Sequence, residues 1–402
     1  MARNRIQRPR FYVDLCSYWK LSGLFPNIGV AQSNTNIEEL YNDNEILNLF
    51  GLDYTKAIEF NVDAGAASAS IELHFAPDGE YADCINELNL INYYSILGHN
   101  LAEQGVDVNL YIKKADGSTA YSDSVEGILN GSITTLDDGK DLLSPKYNGT
   151  SIVKFDGYTA SLEAEAITGI IIQFTKTGEV FTGTEVINLS SISIGRTFTM
   201  PISPDLKTSI SYDYGITSQE GIDGSTFENI NYLEPRRLPN GFPVFYVDNT
   251  YDPDLGVDRD FLNSNRNVMG ATGRRSWSMN FTAVASSELF PANSMETFST
   301  EFEESGTATT GGYSSDHTAQ QSDGLKYFSK NLATDTSFYT LLVHRTLGGS
   351  LSMIYQSFTD DNGNGNNNSG EFAIVKLNRR GMQFNVNTFN TYNIGFSVRE
   401  SW

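Results

Sequence analysis

Residues 351–402 read LSMIYQSFTDDNGNGNNNSGEFAIVKLNRRGMQFNVNTFNTYNIGFSVRESW. Leu351, Met353 and Tyr355 set apolar side chains at every second position. After a polar tract at 360–370, the pattern returns in FAIVKL (372–377), QFNV (383–386) and YNIGFSV (392–398), around a turn at Arg379, Arg380 and Gly381. A period of two places alternate side chains on opposite faces of a pleated strand. The stretch therefore predicts an antiparallel meander, and Trp402, just beyond its last run, predicts a final strand packed into a sheet instead of left as an apolar tail.

Working outward, the same signature recurs at residues 57–62, 70–75, 107–112, 167–174, 186–194, 208–214 and 276–283, each run bounded by Gly, Asn, Asp or Ser. Aromatic residues make up 12% of the chain, with 21 Tyr and 24 Phe, a composition suited to half-buried pleated surfaces. Helix signals are confined to residues 37–52 and 294–304. The expected fold class is mainly β with few short helices. At 402 residues the chain is long enough for two cores. Pro201 and Pro204 deny ladder donors and mark a boundary at 196–204. This gives three expected parts: a basic N-terminal arm and linker at 1–39, a jelly-roll β-sandwich at 40–200, and an antiparallel β assembly domain at 201–402. The tracts 305–323 and 362–370 read as exposed loops.

The formal net charge is −22, from 49 acidic and 27 basic residues. Such a balance repels phosphate backbones and argues against nucleic-acid partners. Cys16 and Cys84 sit beside apolar Leu15 and Ile85 and read as small buried thiols, not a disulfide framework. Arg3, Arg5, Arg8 and Arg10 imitate the start of a signal peptide, but Asp14 interrupts the run that follows. No segment reaches the roughly 20 apolar residues of a bilayer span. The expectation is a protein made in a reducing cytoplasm without membrane insertion.

Asp360, Asn362, Asn364, Asn366 and Glu371 match the spacing D-x-[DN]-x-[DN]-G-x5-E of a calcium loop, with Gly365 at the sharp turn. The flanks are strands, and Asn and Gly populate turns on their own account, so the run reads first as a plain hairpin loop and second as a metal site. A structural Ca2+ is the single cofactor the sequence suggests. Asp248, Asp252, Asp254, Asp258 and Asp260 form a second oxygen-rich stretch that also reads as an exposed loop shaped by Pro253 and Gly256. His74, His99, His317 and His344 form no H-E-x-x-H or H-x-H arrangement. No G-x-S-x-G elbow or phosphate-binding glycine loop occurs. Arg3, Arg5, Arg8 and Arg10 in the arm, and Arg379 and Arg380 in the last turn, are the expected assembly contacts, pairing with acidic surfaces of neighbouring subunits.

Two resemblances add to this reading. Residues 88–114 (LNLINYYSILGHNLAEQGVDVNLYIKK) and 167–196 (ITGIIIQFTKTGEVFTGTEVINLSSISIGR), with Gly98-His99-Asn100 and Ile194-Gly195-Arg196, resemble the galactose-binding-like, discoidin-type β-sandwich. That resemblance implies a carbohydrate-binding or docking module, with His99 near a sugar or serving as a turn residue hydrogen-bonded to the loop backbone. The segments RPRFYVDL (8–15), GRTFTMPISPDL (195–206), GRRSWSMNF (273–281), LFP (289–291), EFAI (371–374), YNI (392–394) and ESW (400–402) resemble virion structural proteins of tailed bacteriophages of the marine and cyanophage type. The chain departs from that pattern at 352–358 (SMIYQSF), where a Pro-containing run is usual. The resemblance implies a non-enzymatic virion component of tail, baseplate, neck or capsid surface. It would be synthesised in the host cytoplasm, homo-oligomeric, and in contact with other virion proteins. The alternatives are a host-glycan-binding adhesin and a polysaccharide depolymerase.

Overall fold

The computed structural model describes residues 8–21, 31–38, 49–55, 57–74, 91–114, 119–120, 125–135, 141–155, 167–232, 238, 244–245, 273–291, 335–359, 369–378 and 382–401. The fold is mainly β. An 11-stranded sheet runs in the order β16 (Ser209–Asp213), β19 (Arg274–Ala285), β23 (Thr391–Glu400), β21 (Phe372–Leu377), β20 (Met353–Gln356), β1 (Arg10–Asp14), β15 (Ser191–Thr199), β6 (Tyr93–His99), β12 (Gly149–Phe155) and β9 (Val125–Leu129), with β22 (Gln383–Thr388) also pairing with β23. A seven-stranded sheet runs β10 (Ser132–Thr135), β11 (Asp141–Ser144), β7 (Asp107–Lys114), β13 (Ile167–Thr175), β5 (Ser68–His74) and β2 (Ala31–Thr35), with β8 (Thr119–Ala120) on β7. Smaller sheets join β14 (Val186–Leu189), β4 (Ile58–Val62) and β3 (Ile37–Glu38), and pair β17 (Ile216–Glu220) with β18 (Thr226–Ile230). The described α-helices are short: α1 (Leu15–Leu21), α2 (Leu101–Gln104) and α3 (Ser286–Leu289). A π-helix spans Tyr339–His344.

Period-two reading placed these strands well. The expected run 372–377 is β21, 167–174 is β13 and 276–283 lies within β19. The expected helix at 37–52 differs: Ile37–Glu38 is a strand paired with β4, Phe50 bridges to Ile192, and residues 39–48 lie outside the described residues. The expected helix at 294–304 lies wholly outside them.

The core follows from the pleat. Tyr94, Ile96, Ile192 and Ile194 of the large sheet share a buried cluster with Ile71, Leu73, Val108, Leu110, Ile170 and Ile172 of the seven-stranded sheet, so the two sheets pack as a sandwich. Their alternate neighbours Tyr93 and Leu97 join Tyr12, Ile152, Ile354 and Phe372 in a separate cluster. A further cluster holds Phe11, Val13, Met279, Phe281, Tyr355 and Phe396, with Phe338, Leu341 and Leu342 from the π-helix and its N-terminal flank. Fully burying one such side chain is worth about 1.5–3 kcal/mol.

The expected division of the chain meets one physical obstacle. β1 pairs antiparallel with β15 on one side (Arg10↔Thr199 to Asp14↔Gly195) and with β20 on the other (Arg10↔Gln356 to Val13↔Met353). Residues 10–14 are therefore not part of an arm; they form the strand on which the N-terminal and C-terminal halves meet. A boundary near residue 200 cuts through one continuous sheet. The sequence conceals this because all five residues of β1 are buried, including charged Arg10 and Asp14 on either side of Phe11, Tyr12 and Val13, where a half-exposed strand would turn its charges to solvent.

Candidate functional site

Arg10, expected as a docking residue, is 2% exposed. Its Nε donates to Thr199 Oγ1 at 2.9 Å and its Nη1 reaches Tyr12 Oη at 3.5 Å. Tyr12 Oη donates to Gln356 Oε1 at 2.7 Å, and the Tyr12 ring meets Tyr93 edge-on at 5.1 Å. Burial pushes the Tyr12 phenol up to about 12, against the pull of Arg10, so it is a neutral donor. Further along the strand, Ser193 Oγ donates to Asp14 Oδ1 at 3.1 Å, Tyr93 Oη lies 2.9 Å from Ser193 Oγ, and the Ser17 N–H donates to Asp14 Oδ2 at 3.0 Å. With its one proton on Asp14, Ser193 accepts from Tyr93. Burial raises the Asp14 carboxyl above its usual range, although Ser17 and Ser193 favour its ionised form. A carboxylate beside a serine hydroxyl is the arrangement of a base and a nucleophile. Here both groups are closed off, Asp14 at 1% and Ser193 at 0% exposure, and what they accomplish is satisfaction of buried polar groups along the seam.

The Gly98-His99-Asn100 turn is built the same way. Gly98 has φ +65°, and a Cβ there would strike Ser190. His99 is 1% exposed, and its Nε2 lies 2.8 Å from Ser151 Oγ. Ser151 Oγ donates to the Asn130 carbonyl at 3.0 Å, so Nε2 carries the proton and Nδ1 faces the interior with no hydrogen-bond partner among the described residues. Burial lowers the imidazole to about 3. His99 therefore makes no contact with an external sugar, and its partner is a side chain on β12, not the loop backbone. Asn100 clamps β14 by donating to Val186 O and accepting from Asn188 N, both at 2.8 Å. Tyr93 and Tyr94 point to opposite faces and both are buried, so neither forms a platform.

Other charged groups fasten loops. Lys176 Nζ lies 2.8 Å from Glu185 Oε1, and Glu185 also accepts from the Thr182 and Gly183 N–H groups. Burial opposes ionisation of Glu185, but Lys176 and the backbone donors outweigh it and draw the carboxyl down to about 2. Arg275 Nη2 meets Glu400 Oε1 at 2.8 Å, the Arg275 N–H donates to Glu400 Oε2 at 2.9 Å, and the guanidinium lies 5.2 Å from the Trp277 ring centroid. Its other donors reach Gly370 O and Phe372 O, fixing the start of β21.

Of the expected calcium loop, Glu371 ends a 3-10 turn (Ser369–Glu371), while Asp360, Asn362, Asn364 and Asn366 lie outside the described residues, as do Arg3, Arg5, Arg379, Arg380 and residues 248–260. Arg8 is described: its carbonyl accepts from Thr359 Oγ1 at 2.6 Å, which ties it to the C-terminal half. Cys16 is a free buried thiol raised by burial, as expected of a small core residue. Among the described residues, no group of three or more His, Cys, Asp or Glu gathers as a metal cluster, and no helix is long and apolar enough to cross a membrane.

No family model, curated protein or solved structure matches this chain.

Among the described residues, large apolar side chains are exposed singly at Leu21, Val180 and Leu206, among others, and in groups on the β17–β18 ribbon and at the β22–β23 turn. β17 and β18 form a ribbon in which every residue is exposed, with Phe227 at 68% and, at the tip, Ile222 at 111%. At the β22–β23 turn Val386 is 72% and Phe389 91% exposed, continuing outward an apolar row that begins at buried Ile394 and half-buried Phe384 and Tyr392. Sequence reading missed the ribbon. Its signal was present in ITSQE and TFENI flanking G-I-D-G-S, a short turn between two strand-like runs.

Proposed function

We propose that this chain is a non-enzymatic structural component that joins other copies and other proteins in a larger particle. The observation that carries the reading is the seam at β1: its acid, guanidinium, phenol and hydroxyl groups are spent on locking two halves into one sheet, while exposed apolar groups lie on projecting strands. A rigid sheet with exposed apolar groups on its projecting strands suits assembly, because exposed apolar patches mark interaction sites. The virion setting is supported by the sequence resemblance to tailed-phage structural proteins, which runs in order along the chain. Sedimentation velocity of the full chain in cell extract and after purification tests the reading. The expected result is a fast-sedimenting species in extract that contains many copies of the chain, and a lone monomer in both settings contradicts it.

A glycan-binding adhesin is the second reading. It draws on the sandwich architecture alone, since burial of His99 removes the residue first considered for sugar contact.

A further inference from the structure

We infer that the β17–β18 ribbon is a docking arm for a different protein chain, one that presents Lys or Arg side chains around an apolar recess. The inference rests on the assembly reading above and names the surface and the chemistry of its partner.

The ribbon is defined in shape, yet every residue of its two strands is exposed. At its tip the Gly221 N–H donates to Ser225 O at 2.7 Å, the Gly224 N–H donates to Gly221 O at 2.9 Å, and Asp223 Oδ1 accepts from Ser225 N and Oγ at 3.0 and 2.6 Å. At its base the Tyr232 N–H donates to Tyr214 O at 2.8 Å, Asn231 Nδ2 donates to Gly215 O at 2.7 Å, and Arg274 stacks 4.2 Å from the Tyr232 ring centroid. Gly215, at φ +61°, lets the Tyr232 ring lie where a Cβ would sit. A lone two-stranded hairpin in water is marginally stable. One held at both ends keeps its form for a partner and loses little freedom on docking.

The pleat sorts its side chains. Paired residues share a face, so Ile216 and Ile230 stand together with Glu220 and Glu228, while Phe227 and Gln219 occupy the other face. Residues 216–230 hold Glu220, Asp223 and Glu228 and no Lys, Arg or His. Ile216 and Ile230, on the face that carries Glu220 and Glu228, call for a basic, apolar surface opposite. A second copy is a poor match, since each chain carries a net −22. Among the described residues, β17 and β18 pair only with each other, and each presents a backbone edge of the kind that accepts an added strand.

The test places a benzophenone photocrosslinker at Ile216 of the full chain, expressed where it assembles, and maps the crosslinked peptide by mass spectrometry. The captured protein is then purified and titrated against the full chain at 50 and 300 mM salt. We expect one non-self partner whose crosslinked peptide carries Lys or Arg, at least tenfold weaker binding for E220Q/E228Q and for I230S, and weaker binding at high salt. Because the altered side chains are exposed, circular dichroism of the variants should match the parent. Crosslinks to a second copy, to an acidic or uncharged peptide, salt-independent binding, or no crosslink in assembled material would each overturn the inference. Sedimentation of the same samples separates the two ideas: particles that form without ribbon crosslinks sink the arm alone, and a chain that never assembles sinks the assembly reading.

Discussion

Tyr12 Oη donates a 2.7 Å hydrogen bond to Gln356 Oε1, joining residues 344 positions apart, both at 0% exposure. A contact so long in sequence, in the middle of the largest sheet, makes the N-terminal strand the piece that the C-terminal half closes upon. Tyr12→Phe keeps the ring and its contact with Tyr93 but strips Gln356 Oε1 and Arg10 Nη1 of a partner. Leaving buried polar groups unsatisfied costs about 1–3 kcal/mol. Urea unfolding should show that loss in the midpoint with an unchanged slope, and an unaltered midpoint would mean that the bond is dispensable.

Gly195 faces β1, and a Cβ there would run into the Val13 carbonyl. Gly195→Ala should force the β1–β15 ladder apart. Overpacking of this kind costs about 1–3 kcal/mol. Hydrogen exchange should accelerate in both 10–14 and 353–356, because β20 pairs with the other side of β1; protection lost on one side only would argue that the strand is not shared as described.

Stability should fall with acid through His99. The unfolded chain protonates this imidazole near the ordinary 6.5, the folded chain only near about 3. Between those values the unfolded state holds the extra proton, so stability is fully present above 6.5 and declines as pH drops, by at most about 1.4 kcal/mol per pH unit. Glu185 acts with the same sign lower down, between 4.5 and about 2, where its pairing with Lys176 is lost. Asp14 opposes both: its raised carboxyl binds a proton more readily folded than unfolded, so its contribution grows as pH falls through the folded value. In His99→Gln the slope between pH 6.5 and 5 should flatten by up to one proton relative to the parent. Parallel profiles would exclude the buried imidazole as the source.

Arg275→Ala should leave Glu400, 7% exposed, with a buried charge and no guanidinium, and release Gly370 and Phe372. Breaking one side of a buried pair costs about 3–5 kcal/mol; Arg275 is itself partly exposed, so about 2 kcal/mol is the expected loss after solvent screening. By contrast, replacing residues 216–230 with Gly-Gly should shift the midpoint by less than about 0.5 kcal/mol, the range of surface changes. A large loss there would show that the ribbon supports the body.

Much of this fold is legible in the chain. Where one face of a strand meets a core and the other meets solvent or a polar neighbour, as in RRSWSMNFTAVA of β19, period two is plain. It fades where both faces are buried. RFYVD of β1 carries a charge at each end, and those charges are stabilised by Thr199, Tyr12, Ser193 and Ser17, partners that only the folded sheet brings near. The GHN turn was visible as a turn, but its chemistry was not: whether His99 faces a ligand or the core depends on Ser151, 52 residues away. The ribbon went unread because its exposed residues lack the apolar alternation that strand reading relies on.

The central claim is that β1 makes one mechanical body of the two halves. Scanning calorimetry of the full chain and of Tyr12→Ala measures it most directly. The account predicts a single cooperative transition in the parent that moves down as a whole in the variant. Two separable transitions, of which the substitution shifts only one, would contradict it.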